Sequence, residues 1–286
     1  MPLRILIPKG RIYENIARLF DDAGFKISLA DRTYRPKVSA AWMDVKIMKP
    51  QNVGDLLEIG SHDAGFTGAD WIQESGADVE TIMDLGFDKV RIIAAAPAPV
   101  DLAALKSKPI VAATEYVNIA GKYLKEKGFN FKIVRTYGAT EVFPPDDAGI
   151  IIDNTASGQT LRDNGLEIID TILVSSTRFV ASKQAMADPE KRSRIEELAM
   201  LFKAVLDARE RIALEMNVSE KNYEALVKTL PAMRSPTVSP LYSNGEEAGY
   251  ALKIVIKRSE VSEIIPKLKQ FGATGIIEYS LRKVIP

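Results

Sequence analysis

The stretch 148–165, AGIIIDNTASGQTLRDNG, decides how the rest of this chain is read. Gly149 to Ile152 is a short β-branched run, too brief for a helix, and it stops at the polar pair Asp153 and Asn154, the pattern of a buried strand. Thr155, Ala156, Ser157, Gly158, Gln159 and Thr160 follow as a loop of small and hydroxyl-bearing residues, and LRDNG closes as a short helix ended by Gly165. A strand, a loop and a helix start in that order turn successive backbone N–H groups and the positive end of a helix dipole into one cavity, which suits a phosphate. The two residues before the loop suit sugar hydroxyls. The same loop could also be an ordinary turn with N-cap residues. What favours a ligand is the order of the parts: carboxylate, small residues, Gly, then Thr-Leu.

Composition narrows the classes. A chain of 286 residues with 46% hydrophobic and 27% charged residues is soluble globular material, long enough for two or three domains. Lys plus Arg balance Asp plus Glu at 38 each, so no global field draws the protein onto nucleic acid or an anionic membrane, and phosphate recognition must be local. Met1 to Gly10 is strand-like with no secretory pattern, and no apolar run reaches the roughly 18 residues of a membrane span, so a cytoplasmic location is expected. With no Cys and His62 as the only His, there is no disulfide framework, thiol nucleophile or multi-His zinc cluster. Any metal sits on oxygens, and His62, at a strand entrance, reads as a surface or packing residue.

Upstream of the opening stretch, LRILIP (3–8) is a buried first strand, and KGRIYENIARLFDDAGF turns into an amphipathic helix with Ile12, Ile16, Leu19 and Phe20 as its stripe. Lys9, Gly10 and Arg11 fall at the carboxyl end of that strand, where open α/β sheets place ligands; they could meet an anion or form a solvated turn. VSAAWMDVKIMK reads as two strands around Met43 and Asp44, closed by Pro50, with a short helix beginning at Asn52. DAGFTGADWIQESG then repeats the device of the opening stretch: Asp-Ala-Gly, a short strand, a polar turn, a helix, a closing Gly. The repetition fits two α/β lobes facing a shared cleft, with Gly68 and Asp70 lining the first lobe's side.

KVRIIAAAP (89–97) reads as a further buried strand, with the crossing into the second lobe in the Ala and Pro residues after it. Alternating strands and helices follow, placing Glu115, Tyr116 and Glu141 at strand ends, and LEIIDTILVSSTRFVAS leads back to the first lobe. PEKRSRIEELAMLFKAVLDARER is a long core-facing helix. After it the pattern becomes βαββαβ, a ferredoxin-like module of about 75 residues. The expected division is 1–93 for lobe I, 94–176 for lobe II, 177–210 for the return to lobe I, and 211–286 for the C-terminal domain.

The segment from Asp153 to Leu161 is similar to the loop by which phosphoribosyltransferases hold the ribose and 5-phosphate of phosphoribosyl pyrophosphate. Together with Lys9-Gly10-Arg11, GFTGADW and SPTVSPL in the last module, it makes essentially the whole chain resemble the long form of ATP phosphoribosyltransferase. That resemblance implies condensation of ATP with phosphoribosyl pyrophosphate to phosphoribosyl-ATP and pyrophosphate, the first step of histidine biosynthesis, with feedback by histidine through the C-terminal domain. It also implies a bilobal catalytic part similar to periplasmic binding proteins, a Mg²⁺ requirement, and dimers that assemble into hexamers.

Residue by residue, the resemblance implies Asp153 on the ribose hydroxyls, with Asn154 beside it, and Thr155 through Thr160 on the 5-phosphate. Lys9, Gly10 and Arg11 would meet the pyrophosphate or the ATP phosphates, Glu115 and Tyr116 fall in substrate-contact segments, and Glu141 would bind the adenine amine. Asn217, Ser235 and Thr237 are the candidates for histidine. Lys49 stands where many members carry Arg, which keeps the charge and gives up the bidentate fork. The attacking adenine nitrogen has a free lone pair, so no general base and no catalytic residue is assigned, nor any metal ligand. Two other readings compete: a two-lobed solute-binding or sensor module, and a transferase acting on a free base. Loops of the latter carry two adjacent acidic residues, and here the second is Asn154.

Overall fold

The computed structural model describes residues 1–28, 33–230, 235–242 and 248–285. They form two compact units, one of Met1–Arg18 and Phe25–Ala199, the other of Leu19–Gly24 and Met200–Pro286. In the first unit the apolar run of β1 (Leu3–Pro8) is buried, and α1 (Arg11–Ala23) follows it. A two-stranded ribbon, β2 (Ile27–Ser28) with β3 (Lys37–Val38), leads to β4 (Met43–Met48), which lies parallel to β1. After α2 (Val53–Glu58) come β5 (Ala64–Gly68), α3 (Ala69–Ser75) and β6 (Val79–Asp84).

The chain then builds a second sheet with β7 (Val90–Pro97), α4 (Leu102–Ser107), β8 (Ile110–Thr114), α5 (Val117–Glu126), β9 (Phe131–Arg135), β10 (Ile150–Thr155), α6 (Gln159–Asp163) and β11 (Leu166–Ser175). It returns through β12 (Thr177–Ser182), α7 (Lys183–Ala187) and α8 (Pro189–Arg209). The strand orders are β4-β1-β5-β12-β6 and β11-β7-β10-β8-β9.

Two expectations are corrected here. Strand β7 is an inner strand of the second sheet, so the crossing lies before it, in residues 85–89, and a boundary at 93/94 would cut the strand. An apolar run reports that a strand is buried but not which sheet buries it. The outgoing and returning segments hydrogen-bond to each other, Leu85 N–H to the Thr177 carbonyl at 3.0 Å and Thr177 N–H to the Phe87 carbonyl at 3.1 Å. The second correction is that β10 continues through Asp153 and Asn154 to Thr155, because β7 carries the ladder on with Ile93, Ile92 and Arg91 as partners. His62 is half-buried beside Ser61, whose hydroxyl lies 3.0 Å from its Nδ1.

In the second unit, β13 (Arg211–Ser219), α9 (Glu220–Val227), β14 (Thr237–Pro240), β15 (Gly249–Lys257), α10 (Val261–Gln270) and β16 (Thr274–Ser280) form one antiparallel sheet in the order β14-β15-β13-β16. This is the βαββαβ module. Leu214, Met216, Leu252, Ile254 and Leu268 make its core by period-2 alternation on the strands and one apolar face of the helix. The end of α1 belongs to this unit too, with the Phe20 ring edge-on to Phe202 of α8 at 5.0 Å.

Candidate active site

Strands β8 and β10 run parallel with Ile152 opposite Thr114, so their carboxyl ends deliver Glu115 and Asp153 side by side. Three fully buried isoleucines, Ile150 to Ile152, anchor β10 beneath Asp153. Desolvation pushes the Asp153 carboxyl up to about 6, helped by the charges of Glu115 and Glu141; hydrogen bonds from the Asn154 N–H, at 2.6 Å, and from the Thr140 hydroxyl hold it from going higher. Thr140 is buried in a 3₁₀ turn, Thr140–Val142, that also carries Glu141, and its hydroxyl lies 2.9 Å from that of Thr136.

Beyond Asp153 the loop folds on itself. The Thr155 hydroxyl accepts the Gly158 N–H at 2.8 Å, and the Ser157 hydroxyl accepts the Gln159 N–H at 3.3 Å. Gly158 adopts φ +74°, and a Cβ there would lie 3.2 Å from Arg162 Nη1 and 3.4 Å from Ile168 Cδ1. The position therefore asks for glycine on both conformation and space. The Gln159 amide donates to Asp163 and accepts from Arg162, which turns it along α6, while Ala156, Ser157 and Thr160 are exposed.

Three predicted residues of the cleft have interior partners. Gly68 is buried against Asp70, whose Oδ1 would stand 2.0 Å from a Cβ at that position. Asp70 is 4% exposed; its Oδ1 accepts the Ser175 hydroxyl at 2.5 Å and its Oδ2 the Tyr116 hydroxyl at 2.8 Å. Tyr116 stacks on Trp71 with ring centres 4.5 Å apart, and its oxygen accepts the Asn154 side-chain amide at 3.1 Å. Burial, followed by the Asp70 charge, raises the Tyr116 hydroxyl far above its ordinary range, so it keeps its proton. Next along α3, the buried Glu74 carboxylate accepts the N–H groups of Asn118 and Ile119, both at 2.9 Å, and so caps α5.

Lys9 and Lys49 leave the ends of the neighbouring parallel strands β1 and β4, and the Lys9 N–H binds the Met48 carbonyl at 2.8 Å. Lys9 is exposed; Gly10 follows it, and Arg11 opens α1 with a side chain outside the described residues. Lys49, Asn52, Glu115, Arg135 and Tyr137 line a cavity of about 180 Å³, and one of about 460 Å³ adjoins it through Gln51, Trp71 and Arg135, which are common to both. The sequence reading missed these three. Each had a signal: Gln51 follows the strand-ending Pro50, Trp71 follows Asp70, and Arg135 is a cation at a strand's carboxyl end. Gln51 Oε1 is buried without a hydrogen-bond partner, an acceptor available to a ligand.

In the second unit, a cavity of about 280 Å³ is lined by Asn217 and Thr237 together with Glu215, Ser239 and Lys253. Ser235 is exposed and is not among its lining residues. Glu215 carries a carboxylate that the sequence reading lacked for an ammonium; it pairs with Lys253 and accepts the Tyr279 hydroxyl at 3.1 Å.

The family model of ATP phosphoribosyltransferase matches residues 49–204, and that of the HisG C-terminal domain matches residues 208–283. An ATP phosphoribosyltransferase of Chlorobium phaeovibrioides is 38% identical over 99% of this chain and 97% of its own length. Its counterpart in Pelotomaculum thermopropionicum is 37% identical over the full length of both. Among solved structures, the ATP phosphoribosyl transferase (HisG:HisZ) complex from Thermotoga maritima has a chain that shares the fold, with a TM-score of 0.63 at 24% identity over 70% of this chain and 98% of that one.

Proposed function

The chain belongs to the ATP phosphoribosyltransferase family, and from that premise we propose that its Asp153–Thr160 segment holds phosphoribosyl pyrophosphate while ATP lies beside Trp71 and Arg135. The enzyme transfers the phosphoribosyl group to the adenine ring of ATP, giving phosphoribosyl-ATP and pyrophosphate in the first step of histidine biosynthesis. Its catalytic part is two-lobed, with a five-stranded sheet in each lobe, and a ferredoxin-like module follows.

The observation that carries the site assignment is a half-buried carboxylate in the last residues of β10, with a cradle just beyond it whose Gly158 holds a left-handed conformation. Loss of pyrophosphate from the anomeric carbon leaves positive charge on the ribose and negative charge on the leaving group, so fixed dipoles and cations supply the catalysis. Asp153 accepts the ribose hydroxyls and the backbone from Thr155 to Thr160 takes the 5-phosphate. Lys9 and Arg11, with Gly10 between them, face the pyrophosphate or the ATP phosphates. Glu141 binds the adenine amine, Glu115 completes the acidic rim, and Gly68, Asp70 and Tyr116 shape the floor. No side chain has to remove a proton before attack.

Among the described residues no group of three or more His, Asp or Glu is arranged to hold a metal ion. Mg²⁺ needs only one or two carboxylates together with substrate phosphates, and Asp153 or Glu115 could supply such a ligand beside the bound phosphates. Bound there, it would offset the charge of the departing pyrophosphate.

Residues 211–286 are proposed as a regulatory domain that binds histidine between Asn217 and Thr237, with Glu215 for the ammonium and Ser235 at the edge. By linkage, histidine must prefer an arrangement in which substrate binds less well. Dimers assembling into hexamers and a cytoplasmic location complete the reading; no helix among the described residues is long and apolar enough to cross a membrane. Incubation with ATP, phosphoribosyl pyrophosphate and Mg²⁺ tests it: phosphoribosyl-ATP should form, and consumption of either substrate alone would argue for a different reaction.

A further inference from the structure

A relay of hydrogen bonds runs from the end of β11 to the ribose pocket, and the direction of each bond follows from its neighbour. Ser175 Oγ accepts the Asp70 N–H at 3.1 Å and donates to Asp70 Oδ1 at 2.5 Å, which fixes the carboxylate. Asp70 Oδ2 then takes the one proton that Tyr116 has to give. The Tyr116 oxygen is left as an acceptor, so the group it meets on Asn154 must be the amide NH₂, at 3.1 Å. Asp153 imposes the same choice, since its Oδ1 lies 3.3 Å from that NH₂. A flipped amide would set its oxygen against two acceptors. With Nδ2 turned to Tyr116 and Asp153, the Asn154 Oδ1 points away from both, and the residue is exposed.

We propose that Ser175 is a positioning residue that, through Asp70 and Tyr116, holds the Asn154 amide oxygen outward as a second acceptor for the ribose hydroxyls beside Asp153. The proposal rests on the assignment of Asp153 to phosphoribosyl pyrophosphate. It explains how an asparagine stands where a transferase acting on a free base would carry a second carboxylate. The relay gives the amide the one orientation in which it presents an acceptor, without adding a fourth carboxylate to a pocket that already holds Glu115 and Glu141 near Asp153.

Reversing the polarity of the relay tests this. Asn154→Asp removes the NH₂ that the Tyr116 oxygen accepts, and Asp70→Asn offers Tyr116 a donor in place of an acceptor, turning its proton towards Asn154. Each single variant mismatches the chain, and each should bind phosphoribosyl pyrophosphate about tenfold more weakly, the effect of one unsatisfied buried polar group. In the double variant the donor–acceptor order from Ser175 through residue 70 to Tyr116 and residue 154 is restored, and the one mismatch left is between the carboxylates at 153 and 154. Tyr116 accepts from the new amide and donates to the new carboxylate, so affinity should recover severalfold over either single variant, short of wild type because the carboxylate at 154 adds charge beside Asp153, where independent losses would multiply to about a hundredfold.

Calorimetric titration of phosphoribosyl pyrophosphate into the four full-length proteins reads the result. A double variant no better than the weaker single overturns the proposal. Ser175→Ala provides a second arm that preserves the packing: KM for phosphoribosyl pyrophosphate should rise severalfold with KM for ATP unchanged, and an unaltered KM for phosphoribosyl pyrophosphate again overturns it. Failure of the wild-type protein itself to bind phosphoribosyl pyrophosphate would instead remove the site assignment beneath it.

Discussion

Asp153→Asn should make the protein more stable at neutral pH while weakening its hold on phosphoribosyl pyrophosphate. An ordinary aspartate titrates at 3.8, and burial first, then Glu115 and Glu141, push Asp153 up to about 6. The folded protein therefore binds this proton more tightly than the unfolded chain does. Stability from this group is gained as pH falls from above 6 towards 4, and is lost as pH rises through the folded value. At 1.36 kcal/mol per pH unit the gap between 3.8 and about 6 costs the folded state at most about 3 kcal/mol at pH 8. Partial exposure lowers that to roughly 2 kcal/mol. Asparagine removes the charge yet keeps an oxygen for the Asn154 N–H, so the gain should appear nearly whole. Both tryptophans, Trp42 and Trp71, lie in the unit that contains Asp153, so urea unfolding followed by their fluorescence reports the right transition. The variant should exceed wild type by about 2 kcal/mol at pH 8 and match it near pH 4. A variant no more stable at pH 8, or a difference that does not change with pH, would refute the reasoning.

Glu74→Ala strips the buried cap from α5 and leaves the Asn118 and Ile119 N–H groups without their acceptor, which should cost roughly 2–4 kcal/mol in the same unfolding experiment. A loss below about 0.5 kcal/mol would mean that water replaces the carboxylate there. Lys9→Ala or Arg11→Ala should lower turnover by about tenfold or more at saturating substrates, as expected for one cation removed from developing negative charge; wild-type kinetics in both would make them surface residues. Histidine should bind the full-length protein in calorimetry and inhibit at millimolar concentration, and Glu215→Gln should weaken that binding by about tenfold through loss of a charge-assisted contact. Absence of any histidine binding would end the regulatory assignment and leave the catalytic one intact.

Much of this was readable because the decisive features are local. Gly149 to Gly165 contains its own strand, loop and helix signals, and the last 76 residues carry period-2 and period-3.6 patterns in an order that admits few topologies. Non-local pairing was not readable. KVRIIAAAP has the same composition whether it borders the first sheet or fills the middle of the second, and only its ladders to β10 and β11 decide between them. The polar relay was hidden for a related reason: Asp70, Tyr116 and Ser175 are 46 and 59 residues apart in turn, and nothing in their immediate neighbours announces that they meet. Trp71 and Arg135 sit among core-like residues, where an aromatic or a strand-end cation more often serves packing or solubility.

Titration of phosphoribosyl pyrophosphate into wild type and Gly158→Val bears most directly on the claim that this segment is the sugar-phosphate cradle. Valine at φ +74° is strained by about 1–3 kcal/mol, and its side chain would press on Arg162 and Ile168 and hold the ligand off the backbone. The account predicts one site per chain in wild type and at least a tenfold loss of affinity in the variant, with the tryptophan-reported unfolding transition still cooperative. Equal affinity in the two folded proteins would contradict it, and would place the phosphate elsewhere in the cleft.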